Sequence, residues 1–175
     1  VEHDPIEILS TTKEVLQKTV DQVGINNIIS IGITNQRETT VIWDKKTGKP
    51  IHNAIVWQCR RTTEICKSFQ EHKSIIKEKT GLLLDPYFSA TKIKWLLDTY
   101  DNLDKDNLLF GTIDSWIIWN LSVNNVHVTD ITNASRTMLF NINTLSYDEE
   151  LLNLFNIPEK ILPTVLNNDN EFGII

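Results

Sequence analysis

Apolar residues recur at helical spacing from the start of the chain, with Ile8/Leu9, Val15/Leu16, Val20 and Val23 on one face. The run opens on Asp4-Pro5-Ile6-Glu7, where Asp4 can cap, Pro5 suits the first helical position and Glu7 can reach back. It closes at Gly24, so the pattern predicts a first helix between these two signals. The period then changes. "NNIISIGIT" is a run of Ile with little polar interruption and reads as a buried central strand. "TTVIWD" and "NAIVW", separated by the turn-rich "KKTGKP", read as a β-hairpin with a longer loop.

Helical spacing returns in "RTTEICKSFQEH" and "SIIKEKTG", two short helices of which Gly81 closes the second. A further helix follows "LLLDPYF", with Ser89 as its cap, an apolar stripe of Ile93, Leu96/Leu97 and Tyr100, and Lys92 and Lys94 beside the stripe. "NLLFGTI" reads as a strand, and Asp114 or Ser115 as the start of the helix "WIIWNL". "VHVTD" and "SRTMLFNI" read as strands around the loop "ITNA", "YDEELLNLF" as a short helix, and "IPEKILP" as a turn-like piece. Helices and strands interleave without a repeat or linker, which is a mixed α/β order.

Composition narrows this a little. At 41% hydrophobic and 23% charged residues the chain is ordinary for a globular domain, so gross disorder is not expected. A net charge of −6 argues against general affinity for nucleic acid or anionic membranes, while leaving room for a local basic site. No apolar run reaches the ~20 residues that span a bilayer, so no membrane insertion is expected. Cys59 and Cys66 lack the spacing of a metal or redox pair, and a reducing, cytoplasmic setting is expected. Val1 in place of a Met, a helix start almost at once, and a terminal "EFGII" that reads as the opening of a strand predict a fragment.

Candidate chemistry begins at "ITNQRETT", where Asn35, Gln36, Arg37 and Glu38 follow directly on a predicted strand, the place where ligands gather in open α/β sheets. Arg37 and Glu38 form a donor and an acceptor suited to a polyol's hydroxyls, but a solvated ion pair on a hairpin edge fits the same letters. Trp57 in "IVWQCRRT" could pack on a polyol's carbon side or be an ordinary core Trp. Tyr87 in "DPYFSATK" offers a phenol near a helix start, or simply a core or capping Tyr. "DITNASRT" could bring Asp130 or Arg136 to a substrate, although its residues also make ordinary turns, which is the preferred reading. Asp114 could be a base, but capping the next helix explains it more simply. The four His form no metal-like constellation, and no Gly-rich phosphate-cradling motif is present.

Taken together, "IGITNQRETTVIWDKKTGKPIHNAIVWQCRRT", "TGLLLDPYFSATKIKWLLD", "LLFGTIDSW" and "VTDITNASRTMLFNI" resemble the glycerol kinases, members of the FGGY family of carbohydrate kinases, in order and with compatible spacing. The resemblance implies an actin-like (ribonuclease H-like) α/β fold, with residues 1–175 an incomplete FGGY N-terminal, glycerol-binding domain and the C-terminal nucleotide-binding domain absent. It implies glycerol contacts by Arg37, Glu38 and Tyr87, with Trp57 as an apolar wall, and so reverses the structural readings of these residues. It implies ATP and Mg2+ as cofactors, a homo-oligomeric complete enzyme, and a general-base Asp downstream, leaving no catalytic residue within this chain. Ala90 departs from the Gly common in the bacterial pattern, with a minor packing effect expected. Two alternatives stay open. A kinase of another FGGY branch should lack "NQRE" and "VWQCRR" together, whereas a non-catalytic binding relative would share them.

Overall fold

The computed structural model describes all 175 residues, as eight short strands and seven α-helices. The first helix, α1 (Pro5–Val23), lies where the apolar spacing put it. The Asp4 carboxylate accepts the Ile6 N–H at 2.8 Å, Pro5 occupies the first turn, and the Gly24 N–H closes on the Val20 carbonyl.

The central sheet forms from strands far apart in sequence. β1 (Glu2–His3) pairs antiparallel with β3 (Ala54–Ile55), and β2 (Val41–Asp44) pairs antiparallel with β4 (Leu108–Gly111), in register from Val41 opposite Gly111 to Asp44 opposite Leu108. The expected hairpin exists only in part. The chain does turn back after Asp44, and Thr40 exchanges both backbone bonds with Ile55, but the continuous ladder of β2 is to β4. The Thr40–Ile55 bridge joins the two pieces in the order β1-β3-β2-β4.

Alternation along β2 and β3 sorts their side chains into two cores. Val41, Trp43 and Ala54 pack with Leu9 of α1 and with Trp116, Ile117 and Trp119 of α5 (Ile113–Leu121). Ile42 and Ile55 face the other way, into a cluster of 20 buried residues with Leu108 and Phe110. That cluster is covered by α3 (Lys73–Thr80), α4 (Ser89–Thr99) and α7 (Glu149–Phe155). The result is helix, sheet and helix in three layers. Gly111 shows how tightly they close, since a Cβ there would sit 2.7 Å from Ser115 Cβ and 3.0 Å from the Trp43 ring.

The remaining elements flank this frame. α2 (Thr63–Ser68) and α3 are the two short helices expected, and Gly81 closes α3 at φ +72°. β5 (Val128–Asp130) pairs in parallel with β8 (Thr164–Leu166), a strand the local pattern did not announce. "ITNA" is not a loop but a single helical turn, α6 (Ile131–Ala134), with Asp130 as its cap. Of "SRTMLFNI" only Phe140–Asn141 (β6) is strand, in a hairpin with β7 (Ser146–Tyr147), because Met138 takes φ +65° and interrupts the extended backbone. Ser89 is the first residue of α4 rather than its cap, which falls on Phe88.

The largest departure is the Ile-rich run. Residues 28–36 form no strand, and Ile29, fully exposed, projects from the surface. A central strand requires a partner for its N–H and C=O groups, and none of the eight strands pairs with this segment. Ile31 and Ile33 instead line an open groove of about 950 Å³ against Ile8, Val15 and Leu16 of α1 and Ile117 of α5.

Candidate functional site

Arg37 and Glu38 lie in the turn that leads into β2, held by Thr39, whose N–H and hydroxyl both donate to Gln36. The turn sends the two side chains to different places. Glu38 is buried, with 5% of its surface exposed, whereas Arg37 is exposed and makes no side-chain hydrogen bond or ion pair within the chain.

Glu38 is held from two directions. Its Oε1 accepts from Arg136 Nε at 2.7 Å, and its backbone carbonyl accepts from Lys92 Nζ at 2.7 Å. The same ammonium donates to the Tyr87 carbonyl at 2.7 Å, so a single side chain in the first turn of α4 ties the Glu38 turn to the Tyr87 turn. Lys92 has no exposed surface; burial pulls its pKa down to about 8, opposed chiefly by the nearby Glu38 carboxylate.

The Tyr87 turn is fixed by Asp85, which accepts the Tyr87 N–H at 2.8 Å and takes both terminal amino groups of Arg60 at 2.6 and 3.2 Å. Burial raises the Asp85 pKa, but Arg60 and the Tyr87 N–H outweigh it, leaving the carboxyl below its ordinary value. Above this turn the Tyr87 ring stands 5.6 Å from the Trp57 ring, tilted, and 5.2 Å from that of Phe88. Trp57 keeps 36% of its surface open and Tyr87 is half-buried, so their faces form a partly open aromatic wall. The Arg136 guanidinium lies over Phe88 at 5.0 Å and near Tyr87 at 6.0 Å, which carries it from the aromatic wall to the Glu38 carboxylate.

Three of the four residues singled out from the sequence therefore converge: Glu38, Tyr87 and Trp57. Arg37 stands at the rim without a partner in the chain. Two further residues complete the cluster, Lys92 and Arg136. Lys92 left a signal, because it lies four residues before Leu96 and so falls on the buried stripe of α4, where an unpaired charge is costly. Arg136 is one of the two polar candidates that "DITNASRT" offers, but the turn-making reading of that segment is the simpler one, and nothing local points to a partner 98 residues away.

The other polar candidates take structural parts. Asp130 caps α6, accepting the Asn133 N–H at 2.6 Å, and also takes an amide N–H from Asn168. Asp114 lies inside the first turn of α5, whose cap position belongs to Thr112. Burial pushes its pKa up, and the hydroxyls of Thr112 and Thr129 work against that. Its carboxylate also accepts from Asn35 at 3.0 Å, so the Asn of the motif fastens the segment before Glu38 to α5.

Along all 175 residues the sequence matches the N-terminal domain of the FGGY family of carbohydrate kinases. The chain belongs to this family. A glycerol kinase of Pseudothermotoga lettingae is 54% identical over 181 aligned residues, covering 99% of this chain and 36% of the relative. Among solved structures, Plasmodium falciparum glycerol kinase with ADP superposes with a TM-score of 0.93 at 40% identity, over 99% of this chain and 36% of that one. A ligand-bound xylulose kinase from Lactobacillus acidophilus shares the fold, with a TM-score of 0.76 at 21% identity over 94% of this chain and 33% of its own. The actin-like α/β fold expected from the resemblance is thus the fold observed, and this FGGY chain spans about a third of the length of its relatives.

Proposed function

We propose that residues 1–175 form the glycerol-binding part of an ATP-dependent glycerol kinase, an incomplete FGGY N-terminal domain whose nucleotide-binding partner domain lies outside these residues. The observation that carries the reading is the buried Glu38 carboxylate set beside the Tyr87–Trp57 wall. A three-carbon polyol has hydroxyls on one side and C–H groups on the other. A committed acceptor next to open aromatic faces fits both. In this reading Glu38 accepts from one hydroxyl, Arg37 donates to another from the rim, Tyr87 adds its phenol, and Trp57 covers the carbon side. Support for glycerol over another sugar comes from the glycerol kinase relatives at more than half identity.

Phosphoryl transfer depends on alignment of the attacking oxygen and on stabilisation of charge at the phosphorus. The residues here supply the first. ATP would deliver the phosphoryl group to a terminal hydroxyl, giving sn-glycerol 3-phosphate. No group of three His, Cys, Asp or Glu in this chain has the arrangement to hold a metal ion, so no step is assigned to Mg2+ at these residues. No catalytic residue is assigned here either; the general base belongs to the rest of the polypeptide. No helix is long and apolar enough to cross a membrane. A cytoplasmic, homo-oligomeric enzyme completes the proposal.

The test is phosphate transfer from ATP to glycerol by the full-length polypeptide, with xylulose and gluconate as competing substrates. Glycerol is expected to be used at least about tenfold better by kcat/KM, the separation that 1.4 kcal/mol provides. The 175-residue chain alone is expected to show no turnover. Preference for xylulose or gluconate would overturn the substrate assignment, and ATP-independence of any product would overturn the reaction.

A further inference from the structure

Glu38 could present either carboxylate oxygen to a ligand, and a carboxylate on a flexible side chain would sample both. In this fold that freedom is removed from an unexpected direction. Arg136 emerges from the segment after α6, and that segment is itself clamped. The Thr137 carbonyl accepts the Ala90 N–H of α4 at 2.8 Å, and the buried Thr137 hydroxyl donates to the Ala134 carbonyl at 2.7 Å. The guanidinium then lies over the Phe88 ring at 5.0 Å and delivers its Nε–H to Glu38 Oε1 at 2.7 Å. An ion pair between a carboxylate 7% exposed and a guanidinium 28% exposed is directional and only partly screened by water.

We propose that Arg136 is a positioning residue for polyol recognition. By engaging Oε1 it orients the carboxylate and leaves Oε2 of Glu38 as the oxygen without a partner in the chain, and so sets which hydroxyl the site takes. The inference rests on Glu38 being a hydroxyl acceptor. Several observations separate this role from simple packing. Arg136 is not needed to neutralise a charge elsewhere, since Glu38 is its only ion-pair partner. Only Nε of its donors is engaged by the protein. The guanidinium has contacts that do not involve Glu38, since it lies over Phe88 and its segment is clamped at Thr137.

The experiment is a double-mutant cycle in the full-length polypeptide, reading glycerol KM, ATP KM and kcat for wild type, Arg136→Met, Glu38→Gln and the pair. Arg136→Met is expected to raise glycerol KM by about 10- to 100-fold while ATP KM stays within about twofold. Arg136→Lys, which restores a donor without the planar fork, is expected to recover part of the loss. In the Glu38→Gln background, removing Arg136 is expected to cost less than about threefold, because the group it positions is already altered. An equal loss in both backgrounds would overturn the proposal, as would parallel losses for glycerol and ATP or an unchanged glycerol KM in Arg136→Met. If methionine compromises folding, as judged by the thermal transition, the lysine variant decides by the same cycle. A wild-type protein that ignores glycerol, or a Glu38→Gln variant as active as wild type, would instead remove the reading of Glu38 on which the inference stands.

Discussion

At the scale of single residues, the site is organised by two cations that reach it from other parts of the chain. Lys92 holds two carbonyls, those of Glu38 and Tyr87, and does so without any exposure to solvent. Burial of an ammonium favours the neutral amine, and the pKa near 8 is the outcome. The sign of the resulting pH dependence follows from proton counts. Between about pH 8 and the ordinary lysine value of 10.5, the unfolded chain binds more protons at this position than the folded one. Stability contributed at Lys92 therefore rises with pH across that window and is flat below it. Burial pushes the Cys66 thiol up to about 11, which acts oppositely above the ordinary thiol range. Comparing wild type with Lys92→Met cancels the cysteine. The difference in unfolding free energy should shift in favour of wild type by about 1–3 kcal/mol from pH 7 to pH 10. Urea denaturation at the two pH values checks it, and an unchanged difference would mean that Lys92 binds its proton as a free lysine does.

At the scale of elements, what could be read in advance was whatever local chemistry dictates. α1 was marked by Asp4, Pro5 and Gly24, and α3 by Gly81, because caps and left-handed turns are properties of a few adjacent residues. The choice of strand partner is not local. β2 has a sequence neighbour available for a hairpin, yet its ladder goes to β4 more than sixty residues on, where the alternation of Ile42 with Phe110 and Trp43 with Leu109 fills both cores at once. β8 pairs with β5 by a parallel crossover, and nothing in "PTVL" itself announces a partner. Segment 28–36 shows the opposite error, since it has a strand's composition without a strand's neighbour. In the site, Glu38, Tyr87 and Trp57 were legible through the motif resemblance, Lys92 through its place on an apolar stripe, and Arg136 only as a polar candidate in a segment whose letters read more simply as a turn. The junction of β4 with α5 offers a test of packing at this scale. Gly111→Ala drives a Cβ against Ser115 Cβ, a rigid backbone-proximal atom, and against the buried Trp43 ring. A loss of about 1–3 kcal/mol is expected from overpacking, measured as a lower denaturant midpoint. A neutral substitution would mean that β4 and α5 separate easily.

At the scale of the whole molecule, the three layers divide the five tryptophans unequally. Trp43, Trp116 and Trp119 pack on one another between the sheet and α1/α5, with ring centroids 5.2 to 6.4 Å apart. Trp95 is half-buried beneath Arg61, whose guanidinium lies 4.7 Å from its ring. Trp57 alone keeps more than a third of its surface in solvent, and it does so at the candidate site. The molecule consequently carries its own optical reporter. Its emission should contain a red-shifted component that acrylamide quenches readily, over a blue-shifted and protected background from the core. Trp57→Phe should abolish that component and leave the background intact. If a polyol lies against this ring, adding glycerol to the full-length protein should shield the same component from acrylamide, whereas a quenching curve indifferent to glycerol would place the ligand elsewhere. The exposure of one indole thus turns occupancy into a colour and a lifetime, readable without turnover and without any label.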